Sequence, residues 1–275
     1  MKKSAFLKIG IAGCGAIGSS LAKTIAKDFS KEARLCGFYD TLTKKAYQLA
    51  ALHKNKKLAL LSLEELISKS QLIIEATAAA SSYEIAKKSL SARRDVMVMS
   101  VGGILDHYRE LEALAKEKGA KLYIPSGAIC GIDGLKAASC SKIKSVVLTT
   151  RKPPKGFLGL AYLLKKKINL EKIKEDTVIF EGPAFLAVKK LPKNINVAAT
   201  LSIAGIGAEK TLVRIIACPG IKRNIHEIEI DSEAGRITAR TENVIHPDNP
   251  KTSYLAVLSA VATLKQALQP MKVGN

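Results

Sequence analysis

Three glycines, Gly13, Gly15 and Gly18, follow the mainly apolar run Lys8 to Ala12 in the spacing GxGxxG. That spacing suits a strand, a tight turn and a helix start. Gly13 allows the turn, Gly15 admits a pyrophosphate to the backbone, and Gly18 lets helix and strand pack closely. The backbone N–H groups of Ala16 and Ile17, at the helix start, are then donors for phosphate oxygens. A second run, Arg34 to Tyr39, ends in Asp40, where such folds place the carboxylate that binds adenosine ribose hydroxyls. The charge of Asp40 would oppose a 2′-phosphate, so NAD is expected over NADP, although Lys44 and Lys45 weaken the contrast. The plainer alternative for Asp40 is a turn acid after an edge strand.

His226 is the second centre of possible chemistry. In Asn224-Ile225-His226-Glu227-Ile228-Glu229-Ile230-Asp231 the strand period groups His226 with Ile228 and Ile230, and sets the acids on the other face. An imidazole titrating near neutrality suits proton transfer, whereas on an apolar face it also reads as a satisfied core residue. The face that carries it is expected to border the cofactor cleft. His53, His107 and His246 are not spaced as metal ligands with any acid pair. The five cysteines, at 14, 36, 130, 140 and 218, form no CxxC pair, so neither a metal nor a disulfide framework is expected.

Two small-residue passages are candidate ligand contacts. Pro125 to Gly134 includes Ala128 and Cys130; its backbone groups either face a nicotinamide or form a hinge. Cys130 has no activating partner in sequence, so it is not expected to be a nucleophile. Asn194 and Asn196 precede an apolar helix, one as a cap and one for a ligand amide, in either order. Asn249 and Thr252 open the last helix as caps or as part of an anion site. Ala78 to Ser82, after the strand Gln71 to Thr77, either leave room for a ligand or form a plain loop.

The elements that must hold these residues fall into two sets. Up to about residue 125, strands and helices alternate, with Ser62 a cap before Leu63, which implies a doubly wound parallel α/β sheet of the Rossmann kind. Over 126–249, strand-like runs at 145–150, 177–180, 212–216, 225–230 and 236–240 have few helices between them. They imply an α+β domain with an open-faced mixed sheet. Helices at 157–166 and 197–204 are expected on one face, leaving the other to line a cleft. A final helix, about Thr252 to Leu268 within 250–275, has a buried side and is expected to pack back on the first domain.

Composition narrows the classes. The chain has 275 residues, 47% of them hydrophobic, and a net charge of +20. Its lysines are spread along helices, as at Lys87-Lys88 and Lys165-Lys166-Lys167, with no Trp, which reads as a solvated surface and not as a nucleic-acid site. No apolar run reaches membrane length, and Lys8 interrupts the leader-like start, so a cytoplasmic protein is expected.

The sequence resembles the L-aspartate dehydrogenase family. The matching blocks are Gly13 to Gly18, Met99-Ser100-Val101-Gly102, Pro125 to Ile129 with Gly131-Ile132-Asp133, Pro192 to Ala199, Asn224 with His226-Glu227-Ile228, and Asn249 to Ser253. The resemblance implies a Rossmann domain plus an open-faced sheet domain, and oxidation of L-aspartate with NAD or NADP to iminoaspartate, which hydrolyses to oxaloacetate and ammonia. It also implies a place in NAD biosynthesis through quinolinate, and a homodimer. The family's active-site histidine falls on His226, its cofactor-contacting asparagine on Asn196, and a further cofactor contact, usually alanine, on Cys130. Leu186, Cys218 and His246 also depart from the family's usual acid, aspartate, and proline or small residue. Lys193, Lys210, Arg214 and Lys251 are candidates for the substrate carboxylates, with nothing to choose between them. The rival readings are another two-domain NAD(P) reductase, such as one like dihydrodipicolinate reductase, and a non-catalytic NAD(H) sensor.

Overall fold

Leu7–Ala12 shows no polar alternation: Ile9 through Ala12 are all buried, as in a strand covered on both faces. It is β1 in a computed structural model that describes residues 6–191, 195–247 and 249–274. There follow α1 (Ala16–Asp28), β2 (Ala33–Tyr39), α2 (Thr43–Leu52), α3 (Leu63–Lys69), β3 (Leu72–Glu75), α4 (Ala79–Ser91), β4 (Asp95–Val98), α5 (Tyr108–Lys118) and β5 (Leu122–Tyr123). The five strands form one sheet in the order β2-β1-β3-β4-β5, every pair parallel. The chain leaves β1 for β2 on one side and continues to β3 on the other, so β1 and β3 flank the switch point where such sheets bind ligands. The Ser62 hydroxyl accepts from the Glu65 N–H at 3.1 Å and caps α3 as expected.

Ala79–Ser82 do not form a loop. They are the first turn of α4, because small side chains let that helix approach the turn at Val101–Gly103; a Cβ on Gly103 would collide with the Ala79 carbonyl oxygen.

The second unit contains α6 (Ile132–Ala138), β6 (Ile143–Lys152), α7 (Ala161–Lys165), β7 (Thr177–Pro183), α8 (Ala184–Lys190), α9 (Asn196–Ala204), β8 (Leu212–Ala217), β9 (Asn224–Ser232), β10 (Gly235–Asn243), β11 (Ile245–His246) and β12 (Asn249–Ser253). Its sheet runs β10-β9-β6-β8-β7, with β6 and β8 parallel and the other pairs antiparallel. The helix expected over 157–166 is two pieces, a 3-10 turn at Pro154–Phe157 and α7. Gly159, at φ +74°, breaks it. Asn249 is not a helix cap; it pairs with His246 in the ribbon β11–β12, and α10 (Tyr254–Leu268) starts only after it.

The chain divides into two units, one running up to Pro125 and including Val257–Lys272, the other Ser126–Ala256 with the last residues. Val257, Ala260 and Leu264 of α10 belong to the first unit's core, with Ile9, Ile11, Leu21, Leu72 and Met97. The second core gathers Val146, Leu148, Val213, Ile215, Ile228 and Ile230 from one sheet face with Leu135, Ala187 and Leu201 from helices. Among the described residues no helix is long and apolar enough to cross a membrane.

Candidate functional site

In the first unit the glycine turn has the shape that a dinucleotide requires. Gly13 sits at φ +96°, and a Cβ there would collide with the Ala76 carbonyl oxygen at the end of β3. A Cβ on Gly18 would collide with the Gly13 carbonyl oxygen, which keeps α1 close to β1. Gly15 differs: apart from its chain neighbours, no atom of the described residues lies within 4 Å of where its Cβ would be. It is the N-cap of α1 and offers no side-chain cap, and the first turn holds no acid. The N–H groups of Ala16 and Ile17 therefore head an electropositive helix end beside open space.

Asp40 follows β2 directly. Its Oδ2 accepts from the Cys14 N–H at 2.9 Å and its Oδ1 from the Leu42 N–H at 2.9 Å, so the carboxylate is fixed against the glycine turn. The Gly13 N–H donates to the Tyr39 carbonyl at 2.7 Å, tying the same two segments together. Burial, with the charge of Asp40 second, pushes the Cys14 thiol up to about 12, so it stays protonated.

A second acid in this unit went unread in the sequence. Glu75, fully buried at the end of β3, accepts from the Thr77 N–H and hydroxyl, each at 2.6 Å, and from the Ser100 N–H at 3.0 Å. Burial raises its pKa, and these donors offset part of the rise. The carboxylate thereby joins the loops after β3 and β4. The signal available was an acid closing the otherwise apolar run Leu72-Ile73-Ile74.

In the second unit the registers decide which side chains share a face. Ile237, Ile230 and Val146 form one rung; Ala239, Ile228, Leu148 and Val213 the next; then come Thr241, His226, Thr150 and Ile215. The face that forms the core thus turns polar at one end, and His226 stands in the first polar rung. Lys152, two residues beyond Thr150 and opposite Ala217, lies on the same face. Thr150 and Lys152 went unread in the sequence. Their signal was the alternation Val146, Leu148, Thr150, Lys152, an apolar face that ends in a hydroxyl and an ammonium.

His226 is 5% exposed, and its Nδ1 lies 2.9 Å from the Thr150 hydroxyl. Burial, helped by the charge of Lys152, pushes the imidazole down to about 3, so it is neutral at physiological pH. Burial also pulls the Lys152 ammonium down to about 8. The 126–131 loop comes to the same end of β10: the Ala128 carbonyl accepts from the Thr241 hydroxyl at 3.0 Å and from the Asn243 amide at 2.9 Å, while a Cβ on Gly131 would stand 2.9 Å from that of Ala239. Cys130 is exposed, its thiol 3.9 Å from the Arg240 carbonyl.

The other face of this sheet is not a bare wall. Glu227, Glu229, Asp231, Arg236, Arg240 and Arg214 project from it and pair with one another or with Lys144, Arg151, Glu181 and Glu242. Arg214 therefore lies on the face opposite His226, bound to Glu181 at 2.6 Å, and is no candidate for a substrate held near the imidazole. Lys210 is exposed in the connection before β8. Lys193 and Asn194 lie outside the described residues, as does the side chain of Lys251. Asn196 is the first residue of α9 and exposed. Among the described residues no group of three or more His, Cys, Asp or Glu is arranged to hold a metal.

The family model for the C-terminal part of aspartate dehydrogenase matches residues 133–267, and that for the NAD-binding domain of homoserine dehydrogenase matches 13–125. An L-aspartate dehydrogenase of Methanosarcina acetivorans is 48% identical over 271 residues, covering 98% of this chain and 100% of the relative. The chain belongs to the L-aspartate dehydrogenase family. A relative from Methanococcus maripaludis is 41% identical over the same 98% of this chain and 100% of its own length. The crystal structure of aspartate dehydrogenase from Thermotoga maritima matches with a TM-score of 0.75 at 26% identity, covering 98% of this chain and 100% of that one. Leu186 packs against the second core, and Cys218 is buried, its thiol pushed up to about 12 by burial and by Asp176.

Proposed function

We propose that this chain oxidises L-aspartate to iminoaspartate, which hydrolyses to oxaloacetate and ammonia, and that the oxidant is NAD in preference to NADP. The observation that carries the reading is a buried, neutral imidazole fixed by Thr150 at the polar end of an apolar sheet face, in a chain of this family. The first unit fits a dinucleotide on its own geometry: open space at Gly15, an uncapped helix start, and a carboxylate fixed beside the turn. The N–H groups of Ala16 and Ile17 would hold the pyrophosphate, and Asp40 the adenosine ribose, with Ala128, Cys130 and Asn196 as further cofactor contacts. When bound, the nicotinamide supplies the acceptor for the hydride leaving Cα.

The remaining work falls to His226. The substrate ammonium must lose a proton before the electron pair of its nitrogen can form the C=N bond. With Nδ1–H donating to the Thr150 oxygen, Nε2 presents a lone pair that takes this proton. A ring held near pKa 3 is neutral but weakly basic. The two carboxylates of bound aspartate favour its charged form and lift the pKa toward the range where a base is effective. Iminoaspartate is a precursor of quinolinate, so NAD biosynthesis is the proposed destination of the product, and a homodimer the proposed assembly.

Initial rates with L-aspartate and each cofactor, with D-aspartate and L-glutamate as controls, test the reading. Turnover with L-aspartate alone is expected, and NADH binding without turnover of any amino acid would overturn it. Asp40→Ala is expected to raise kcat/KM with NADP relative to NAD by at least tenfold; an unchanged ratio removes the ribose role.

A further inference from the structure

We propose that the Lys152 ammonium binds a carboxylate of the substrate beside His226 and thereby restricts the site to dicarboxylic amino acids. This rests on the aspartate reading above and names the cation that it leaves unassigned. Strand alternation puts Lys152 on the same face of β6 as Thr150, whose hydroxyl holds His226. The side chain is directed from its root: Lys152 Cβ and Cδ lie 3.5 and 3.7 Å from where a Cβ on Gly156 would stand, so the stem runs along the 3-10 turn at Pro154–Phe157. Its backbone is tied down as well, the Cys218 N–H donating to the Lys152 carbonyl at 2.8 Å.

Charge on the two faces is unevenly distributed. Glu227, Glu229 and Asp231 leave β9 on the opposite face and pair with Arg240, Arg236 and Lys144. On the His226 face the paired strands β6, β9 and β10 carry apolar side chains, hydroxyls, the amides of Asn224 and Asn243, a neutral imidazole and this ammonium. A cation at the end of such a face is desolvated, as its lowered pKa of about 8 reflects, and gains most from an anion arriving with the ligand. A carboxylate there would lie next to the ring that takes the substrate's proton. Of the other candidate cations whose side chains the structure describes, Arg214 is on the other face and Lys210 is exposed outside the sheet.

The test uses Lys152→Met, which keeps the stem, with Lys152→Gln as a second variant should the first fold poorly; wild-type NADH affinity and an unchanged thermal transition qualify either. The KM for L-aspartate is expected to rise at least 30-fold with kcat changed far less, and the affinity of the cofactor complex for succinate, read by calorimetry, to fall by a similar factor. Lys152→Arg is expected to recover part of both. If the ammonium meets the side-chain carboxylate, the preference for L-aspartate over L-asparagine collapses in Lys152→Met; if both substrates weaken together, the ammonium meets the α-carboxylate and the restriction to dicarboxylic amino acids is overturned. A KM and a succinate affinity within threefold of wild type would overturn the proposal. Should the wild type not oxidise L-aspartate, the proposed function falls, and the succinate measurement still decides whether Lys152 is a carboxylate site.

Discussion

The neutrality of His226 makes a prediction that needs no substrate. Its pKa is about 3 in the folded chain against 6.5 for an unperturbed histidine, because the ring is 5% exposed and faces a like charge on Lys152. Between those values the unfolded chain binds a proton that the folded chain does not, so stability rises with pH through the window and is lost as pH falls from 6.5. Between pH 7 and pH 5 the loss assigned to this one ring is about 2 kcal/mol. The perturbation is His226→Gln, which removes the titration and keeps a polar group opposite Thr150. Urea unfolding of both proteins at pH 7 and pH 5 gives the comparison: the wild type is expected to lose about 2 kcal/mol more than the variant. Ring resonances offer a direct check, since four histidines are few enough to assign by substitution. The His226 signal is expected to stay in its neutral position at pH 5. Equal losses in the two proteins, with a ring that titrates near 6.5, would show that the imidazole is solvated and would remove the basis for its resting neutrality.

Gly15 and Gly18 are expected to separate binding from folding. Gly15→Ala adds a methyl to open space at φ −75°, so thermal stability should hold while NADH affinity falls at least tenfold. Gly18→Ala drives a methyl into the Gly13 carbonyl and should cost about 1–3 kcal/mol or more in denaturant unfolding; wild-type stability would refute the close helix–strand contact. Glu75→Gln leaves an amide NH₂ facing either the Ser100 N–H or the Thr77 donors, and is expected to cost about 1–3 kcal/mol. No loss on urea unfolding would mean that the carboxylate does not bridge the two loops.

The two halves of this chain differ in how far their chemistry can be read without coordinates, and the difference is physical. The dinucleotide turn is local: Gly13, Gly15 and Gly18 lie within six residues, each answers a different steric demand, and those demands follow from one strand entering one helix. Asp40 required only the next strand. In the second unit the functional arrangement is a matter of register between β6, β8, β9 and β10 and of a loop laid against them: the Thr150 to His226 bond spans 76 residues, and the bond from Thr241 to Ala128 of that loop spans 113. The alternation of β9 correctly placed His226 on the apolar face. Alternation within one strand does not show what lies across from it, so neither the hydroxyl bonded to the ring nor the burial and nearby ammonium that lower its pKa are legible there. Lys193, Lys210, Arg214 and Lys251, the candidate cations in the sequence, offer charge without facing. A sheet face that changes from apolar to polar along its length is visible only once several strands are aligned. The last two inward positions of a strand such as β6 are therefore where a sequence reading should look first for the groups that accompany a buried histidine.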